Sequence, residues 1–185
     1  MQLEHGSPRD MTGRSEREAR AYAFLDRLGV DFERADHRNR PATSMEACAD
    51  ADAALGVRIC KNLFLCNRQK TDFYLLVMPA DKPFKTKELS GQLGVSRLSF
   101  ADEEQMERLL DLHPGSVSVL GLINDAEHRV RLVIDEDVLG EELFGCHPCE
   151  NTSSIRFATK ALTEKILPAL GVTPAVVRLK GFEET

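Results

Sequence analysis

Four short segments carry residue types that fold-making alone does not explain. The first is Lys61-Asn62, which opens the otherwise apolar run Lys-Asn-Leu-Phe-Leu. Burying an unpaired ammonium is costly, so Lys61 either points to solvent or projects from a sheet toward an anionic or carbonyl partner. The second is the stretch from His113 to Leu122, which includes Gly115, Ser116, Val117, Ser118 and Gly121. Its glycines permit tight or positive-φ backbone, and main-chain amides in such a loop can bind a carbonyl or an oxyanion; a plain connecting loop is the simpler alternative. The third is Asn124-Asp125, which also reads as an ordinary turn. The fourth is Cys146-His147-Pro148-Cys149-Glu150-Asn151-Thr152.

A Cys-x-x-Cys enclosing a histidine suggests metal or redox chemistry. Zinc sites usually need a second ligand pair at related spacing, and His5, His37, His113 and His128 supply none. A redox pair wants the motif at the start of a helix, whereas here it follows a strand. His147 reads better as a hydrogen-bonding group at a site, so neither metal nor cofactor is expected. Ser116, His147 and Asp125 would make a Ser–His–Asp hydrolase on paper, but no Gly-x-Ser-x-Gly elbow supports it.

The elements that must position these residues are legible in outline. Ser15 to Glu18 forms a capping-box pattern opening a helix to about residue 28, with Gly29 at the left-handed position beyond it. Thr43 to Glu46 is a second such pattern, starting a helix toward residue 54. Strands are expected at 31–35, 59–65, 73–78, 130–134, 154–157 and 175–179, and helices at 86–93, 102–110 and 160–170. The runs at 59–65 and 73–78 flank a polar turn and read as a hairpin. The second of them is apolar almost throughout, which implies cover on both faces. Without regular βαβ alternation, GxGxxG or a Walker loop, the class is α+β: a single domain with a mixed, largely antiparallel sheet flanked by helices. Residues 1–14 read as a disordered leader and 15–185 as the domain.

At 185 residues, 42% hydrophobic and 29% charged, the composition is that of a globular protein. No apolar run approaches the ~20 residues needed to span a bilayer, and there is no secretion signal at the N-terminus. Five cysteines without a disulfide framework fit a reducing compartment, so a cytoplasmic location is expected, with no membrane or DNA partner. The net charge of −6 weighs against broad nucleic-acid binding. Basic residues nevertheless gather at Arg58, Lys61, Arg68 and Lys70, and at Lys82, Lys85 and Lys87.

Five segments occur in an order and spacing that resembles the freestanding prolyl-tRNA editing domains of the YbaK-like superfamily, and within it the PrdX or alanyl-prolyl-tRNA deacylase branch. They are Lys61-Asn62-Leu63-Phe64-Leu65, Arg97-Leu98-Ser99-Phe100-Ala101, Pro114-Gly115-Ser116-Val117-Ser118, Gly121-Leu122-Ile123-Asn124-Asp125 and His147 to Thr152. The resemblance implies hydrolysis of the ester between alanine and the 3′ end of a mischarged proline tRNA, without a metal. It further implies prolyl-tRNA synthetase as a second partner. In that frame Lys61 and His147 are the catalytic residues. Asn62, Gly115, Ser116, Val117, Ser118, Gly121, Leu122, Asn124, Asp125, Asn151 and Thr152 line the substrate site. One departure is Val119, where members commonly have a proline that stiffens the loop. The alternatives are a deacylase for cysteine or serine, or a non-catalytic module that binds tRNA or synthetase.

Overall fold

The computed structural model describes residues 1–38 and 45–181. Two sheets and their covering helices make up the fold. The first sheet is wholly antiparallel, in the order β1 (Leu3–His5), β2 (Phe32–Asp36), β8 (Ser153–Ala158), β7 (Leu143–Cys146). The second runs β5 (Ser99–Phe100), β3 (Lys61–Cys66), β4 (Phe73–Met78), β6 (Val130–Asp135), β9 (Ala175–Val177). Its β5–β3–β4 part is antiparallel, while β4–β6–β9 is parallel. The helices are α1 (Glu16–Arg27), α2 (Met45–Leu55), α3 (Thr86–Leu93), α4 (Glu103–Leu110) and α5 (Glu136–Gly140). A 3-10 helix spans Val119–Asn124, and α6 (Thr159–Ala161) continues through a π segment, Leu162–Ile166, into α7 (Leu167–Leu170). The α+β class stands, with the expected single sheet divided in two.

Strand alternation builds two cores. On β4, Phe73, Leu75 and Val77 face the interior shared with the first sheet, α1, α4 and the 3-10 helix. Tyr74, Leu76 and Met78 face a second core with Leu89 of α3, Val177 and Leu179. All six residues are buried, which is why this strand reads as continuously apolar.

The N-terminal residues depart from the sequence reading. Leu3–His5 pairs with β2 as an edge strand instead of trailing as a leader. The Arg14 side chain is covered, its guanidinium bonding Glu18 at 2.6 Å and Asp36 at 2.7 Å. Ser15 caps α1 by accepting from the Glu18 amide. The Glu18 carboxylate does not reach back; it accepts instead from Arg14, Tyr22 and Ser153 inside the protein. A composition rule cannot see this, because the partners lie on α1, β2 and β8. The second capping pattern, Thr43-Ser44, lies outside the described residues.

Removing one member of a buried charge cluster strands the others and costs roughly 3–5 kcal/mol. Arg14→Ala, and deletion of residues 1–14, should therefore lower the unfolding free energy from urea titration by an amount in that range, and a truncated chain of full stability would contradict the cluster's role. Burial works to raise Asp36, but hydrogen bonds from Arg14, Ser153 and Arg34 prevail and hold its carboxyl at about 2. A depressed carboxyl stabilises the fold above its unfolded value near 4, and that contribution should disappear as pH falls from about 4 toward 2.

Candidate functional site

The two sheets meet at Gly145, the third residue of β7. Ile59 forms a parallel bridge to it, and the Cys60 N–H donates to its carbonyl at 3.1 Å. A Cβ on Gly145 would stand 3.1 Å from Val57 Cγ1 and 3.3 Å from the Arg58 carbonyl oxygen, so only glycine fits without displacement. The chains leave this bridge in parallel, and two residues beyond it stand Lys61 on one side and His147 on the other.

His147 is buried, with Nδ1 3.0 Å from the Ser153 carbonyl oxygen. A carbonyl can only accept, so Nδ1 carries the hydrogen and Nε2 keeps its lone pair. The Ser154 hydroxyl lies 3.3 Å from the same nitrogen and 2.9 Å from Nε2 of His37, whose ring meets His147 edge-on. Burial lowers the His147 pKa, the Ser153 hydrogen bond works against that, and nearby His37 lowers it further. The imidazole is thus neutral at pH 7. Beyond Pro148 the chain turns through Cys149 at φ +64°, an uncommon conformation for a residue with a Cβ. That turn brings the Asn151 amide nitrogen against Gly115, 3.4 Å from where a Cβ would be. Gly115 itself has φ +85°, which explains the glycine.

Lys61 and Asn62 point to opposite faces of the sheet, as successive strand residues must. Asn62 shares the face of Phe64 and Cys66, toward the inter-sheet core, and Lys61 that of Leu63 and Leu65. The Lys61 ammonium is half-buried and donates to the Lys82 carbonyl at 2.7 Å, the carbonyl partner that a lysine in this setting requires. Asn62 donates from Nδ2 to the Cys60 carbonyl at 2.9 Å, and its buried Oδ1 has no hydrogen-bond partner among the described residues. The main chain is also open here. Cys60 and Phe64 bond away from β4, to Gly145 and Ala101, and β5 reaches only Leu65 and Cys66. Asn62 lies between them, facing a gap between β7 and β5.

The glycine-containing stretch is more ordered than a loop. The Ser118 hydroxyl accepts from Leu120 at the start of the 3-10 helix. Val119 is fully buried, so packing anchors the position where proline was expected. A Cβ on Gly121 would meet Leu112 Cδ1 at 2.5 Å, and Leu122 is buried. The Ser116 amide and hydroxyl both turn to the His113 carbonyl, and Val117 packs half-buried on the core. Asn124 links the Leu110 carbonyl to Arg20. The Asp125 carboxylate accepts from the Arg129 and Val130 amides, and the Thr152 carbonyl accepts from His37. His147 and Lys61 each stand two residues beyond the bridged pair, with Asn62 next to Lys61, while Asn151 packs on Gly115 and Thr152 pairs with His37. Ser118, Gly121, Leu122, Asn124 and Asp125 instead hold the surrounding elements together.

A cavity of about 890 Å³ opens beside the junction, lined by Val57, Cys60, Lys82, Glu142 and Leu143 among others. Cys146 and Cys149 are both buried, and burial pushes their thiols up, Cys149 to about 12. Arg20 and Arg17 lie near Cys149, but burial outweighs them, so neither thiol has the lowered pKa of a reactive cysteine. Among the described residues, no three His, Cys, Asp or Glu side chains are grouped to hold a metal ion. Sequence reading missed His37, Ser153 and Ser154, whose polar atoms matter only once β2 and β8 pair. Gly145, directly before Cys146-His147, was the one visible hint of the junction.

A family model described as the aminoacyl-tRNA editing domain matches residues 39–165. The chain is 31% identical over 157 residues to the prolyl-tRNA editing protein ProX of Acetoanaerobium sticklandii, covering 85% of this chain and 94% of that one. It is 29% identical over 164 residues to prolyl-tRNA synthetase associated domain-containing protein 1 of Danio rerio, covering 88% and 79%. A solved structure described as a proposed trans-editing enzyme for prolyl tRNA synthetase shares the fold, with a TM-score of 0.65 at 19% identity over 89% of this chain and 98% of that one. The chain belongs to the aminoacyl-tRNA editing domain family and is an aminoacyl-tRNA hydrolase.

Proposed function

We propose that this hydrolase removes alanine from mischarged proline tRNA, acting in trans with a positioned water and no metal. The observation that carries the reading is the junction at Gly145, where a neutral histidine held through Nδ1–H follows one side of the bridge by two residues, as Lys61 follows the other. The relatives' names, both tied to prolyl-tRNA, and the five motifs that follow the alanine-specific branch support the choice of substrate.

An aminoacyl ester is already activated, so the reaction needs a placed nucleophile and a stabilised oxyanion. In this reading Nε2 of His147 accepts the proton of the attacking water, while Nδ1–H stays fixed on Ser153. Lys61, a compact positive charge at the strand end, steadies the ester or its terminal phosphate. Asn62 offers Oδ1 and its main chain to the aminoacyl group. Ser116, Leu120 and Gly121 use their amides internally, so in this reading the oxyanion donors come from the remaining amides of the stretch, those of Gly115, Val117, Ser118 and Val119. One such donor contributes ~2.7–4 kcal/mol to the transition state in a known protease. Selection by size is also called for, because a synthetase pocket shaped for proline gains only ~1–3 kcal/mol against a side chain lacking methylenes. A second site that admits alanine and excludes proline supplies the rest.

In a deacylation panel, alanyl-tRNA for proline should be hydrolysed well above background while prolyl-tRNA survives. Equal rates on both, or activity on the cysteinyl or seryl ester alone, would move the assignment. A chelator should leave the rate intact; loss restored by zinc would overturn the metal-free mechanism. Lys61→Ala should lower the single-turnover rate by on the order of 10²-fold with little change in melting temperature. Arginine should rescue poorly, because a planar fork does not reproduce a point charge. The wild-type rate should be flat through neutrality and fall only below pH ~6.5, as His147 takes up a proton later than an ordinary imidazole. His147→Ala should abolish that inflection, and its survival in the variant would exclude His147 as the base.

A further inference from the structure

Lys61 rests on a residue that has no part in the chemistry above. Its ammonium donates to the carbonyl of Lys82, in the turn that follows β4 and is closed by the Lys82 amide on the Pro79 carbonyl at 3.2 Å. The ammonium of Lys82 itself donates to Asp135 at 2.8 Å, to Asp137 at 2.7 Å and to the Leu179 carbonyl at 2.6 Å. An ammonium has three N–H groups, and these three acceptors use them all. Lys82 lines the cavity beside the junction, yet it has no hydrogen left to offer a substrate. Lys61 uses one N–H on Lys82 and, among the described residues, keeps two.

The acceptors of Lys82 are themselves fixed. Asp135 ends β6, is fully buried and caps α5 by accepting from the Asp137 amide. Burial works against the Lys82 charge, but the hydrogen bonds to Asp135 and Asp137 prevail and raise its pKa, so it stays protonated. Leu179 belongs to the segment after β9, which α3 grips with two side chains. Gln92 exchanges two hydrogen bonds with the main chain of Arg178, and Glu88 accepts from the amides of Lys180 and Gly181. Gly181 then passes so close to the turn that a Cβ would stand 2.6 Å from Lys82 Cγ and 3.0 Å from the Pro83 carbonyl oxygen. Its φ of +72° also calls for glycine. The turn that supplies the acceptor of Lys61 is therefore braced by β6, α3 and the segment after β9.

A lysine ammonium sits at the end of a flexible four-carbon stem, so it is placed only as well as the group it rests on. We propose that Lys82 is a positioning residue for Lys61: the ion cluster it forms with Asp135, Asp137 and the Leu179 carbonyl fixes the turn whose carbonyl holds the Lys61 ammonium. The inference rests on the proposed role of Lys61 in the deacylation.

The test is single-turnover deacylation of alanyl-tRNA for proline by the full chain, with melting curves to establish folding. Lys82→Met combined with Asp135→Asn leaves no buried carboxylate unpaired. It should lower the saturating rate constant toward the ~10²-fold that a misplacement of ~1 Å costs, while the half-saturating concentration hardly moves. Lys82→Arg, which keeps the charge, should retain more of the rate. Gly181→Ala changes no charge and only crowds the turn, so it should slow the reaction in the same way. A double-mutant cycle decides the role. In a Lys61→Ala background none of these changes should cause further loss, because their effect passes through the missing ammonium. Equal fold-losses in both backgrounds would mark a merely structural cluster and overturn the positioning role, as would wild-type rates in the folded Lys82 and Gly181 variants beside a slow Lys61→Ala. A wild-type rate in Lys61→Ala would instead remove the role of Lys61 and this inference with it. Limited acetylation read by mass spectrometry needs no tRNA. Lys61 should be labelled faster in the Lys82→Met, Asp135→Asn protein than in the wild type, and equal labelling would overturn the anchor. Faster labelling in a protein that deacylates no charged tRNA would leave the anchor standing and reject the proposed reaction.

Discussion

The close approach of two sheets at Gly145 is the constraint on which the site depends. Sheets packed face to face normally stand ~10 Å apart, and polar main chain exposed where they part must find partners. Here β7 comes within hydrogen-bonding distance of the segment before β3, an approach that even a Cβ at position 145 would crowd. Cys60 is satisfied by Gly145, Phe64 is satisfied by Ala101, and Asn62 between them is left facing open space. The gap that Asn62 faces is therefore a by-product of how the sheets join, and His147 borders it because it follows the junction residue by two.

A buried polar layer supports that geometry from behind. Ser153 holds His147 with its carbonyl while its hydroxyl lies within hydrogen-bond distance of both Glu18 and Asp36 and donates to one of them. Those carboxylates are in turn held by Arg14 and Arg34. Buried ions are weak evidence for stability but good devices for specifying one arrangement, since each satisfied partner excludes alternatives. The same layer draws the N-terminal segment into the fold, through Arg14 and through Arg34, which bonds Glu4 and the Gly6 carbonyl. A segment that resembles a tail in composition thus contributes to the rigidity of a histidine more than a hundred residues away in the chain.

This is also the pattern of what the amino-acid sequence could reveal. Elements governed by local rules were legible: the Ser15 cap, the hairpin of β3 and β4, the both-sides burial of β4, and helices near 86–93 and 102–110. Elements governed by distant partners were not. β1 is three residues long and exists because β2 presents an edge to it. The parallel pairing of β4 with β6 follows from a crossover that periodicity does not record. Of the proposed site residues, Lys61, Asn62 and His147 announced themselves as polar groups in apolar settings. Asn124 and Asp125 looked equally suggestive yet spend their side chains on neighbouring backbone, as Asx residues often do.

The opposite orientation of Lys61 and Asn62 gives the proposed chemistry its shape. Adjacent strand residues cannot both enter one pocket, so a substrate that engages both must wrap the end of β3. An aminoacyl-tRNA terminus can do so, because its reactive ester is flanked by parts of contrasting character: a small amino acid on one side, a ribose, phosphates and stacked bases on the other. The inner face, with Asn62, His147 and Gly115, is suited to the amino acid and its carbonyl. The outer face, with Lys61, is suited to the polyanionic strand. Size selection then acts where packing is tight and binding acts where charge is concentrated, so neither requirement compromises the other.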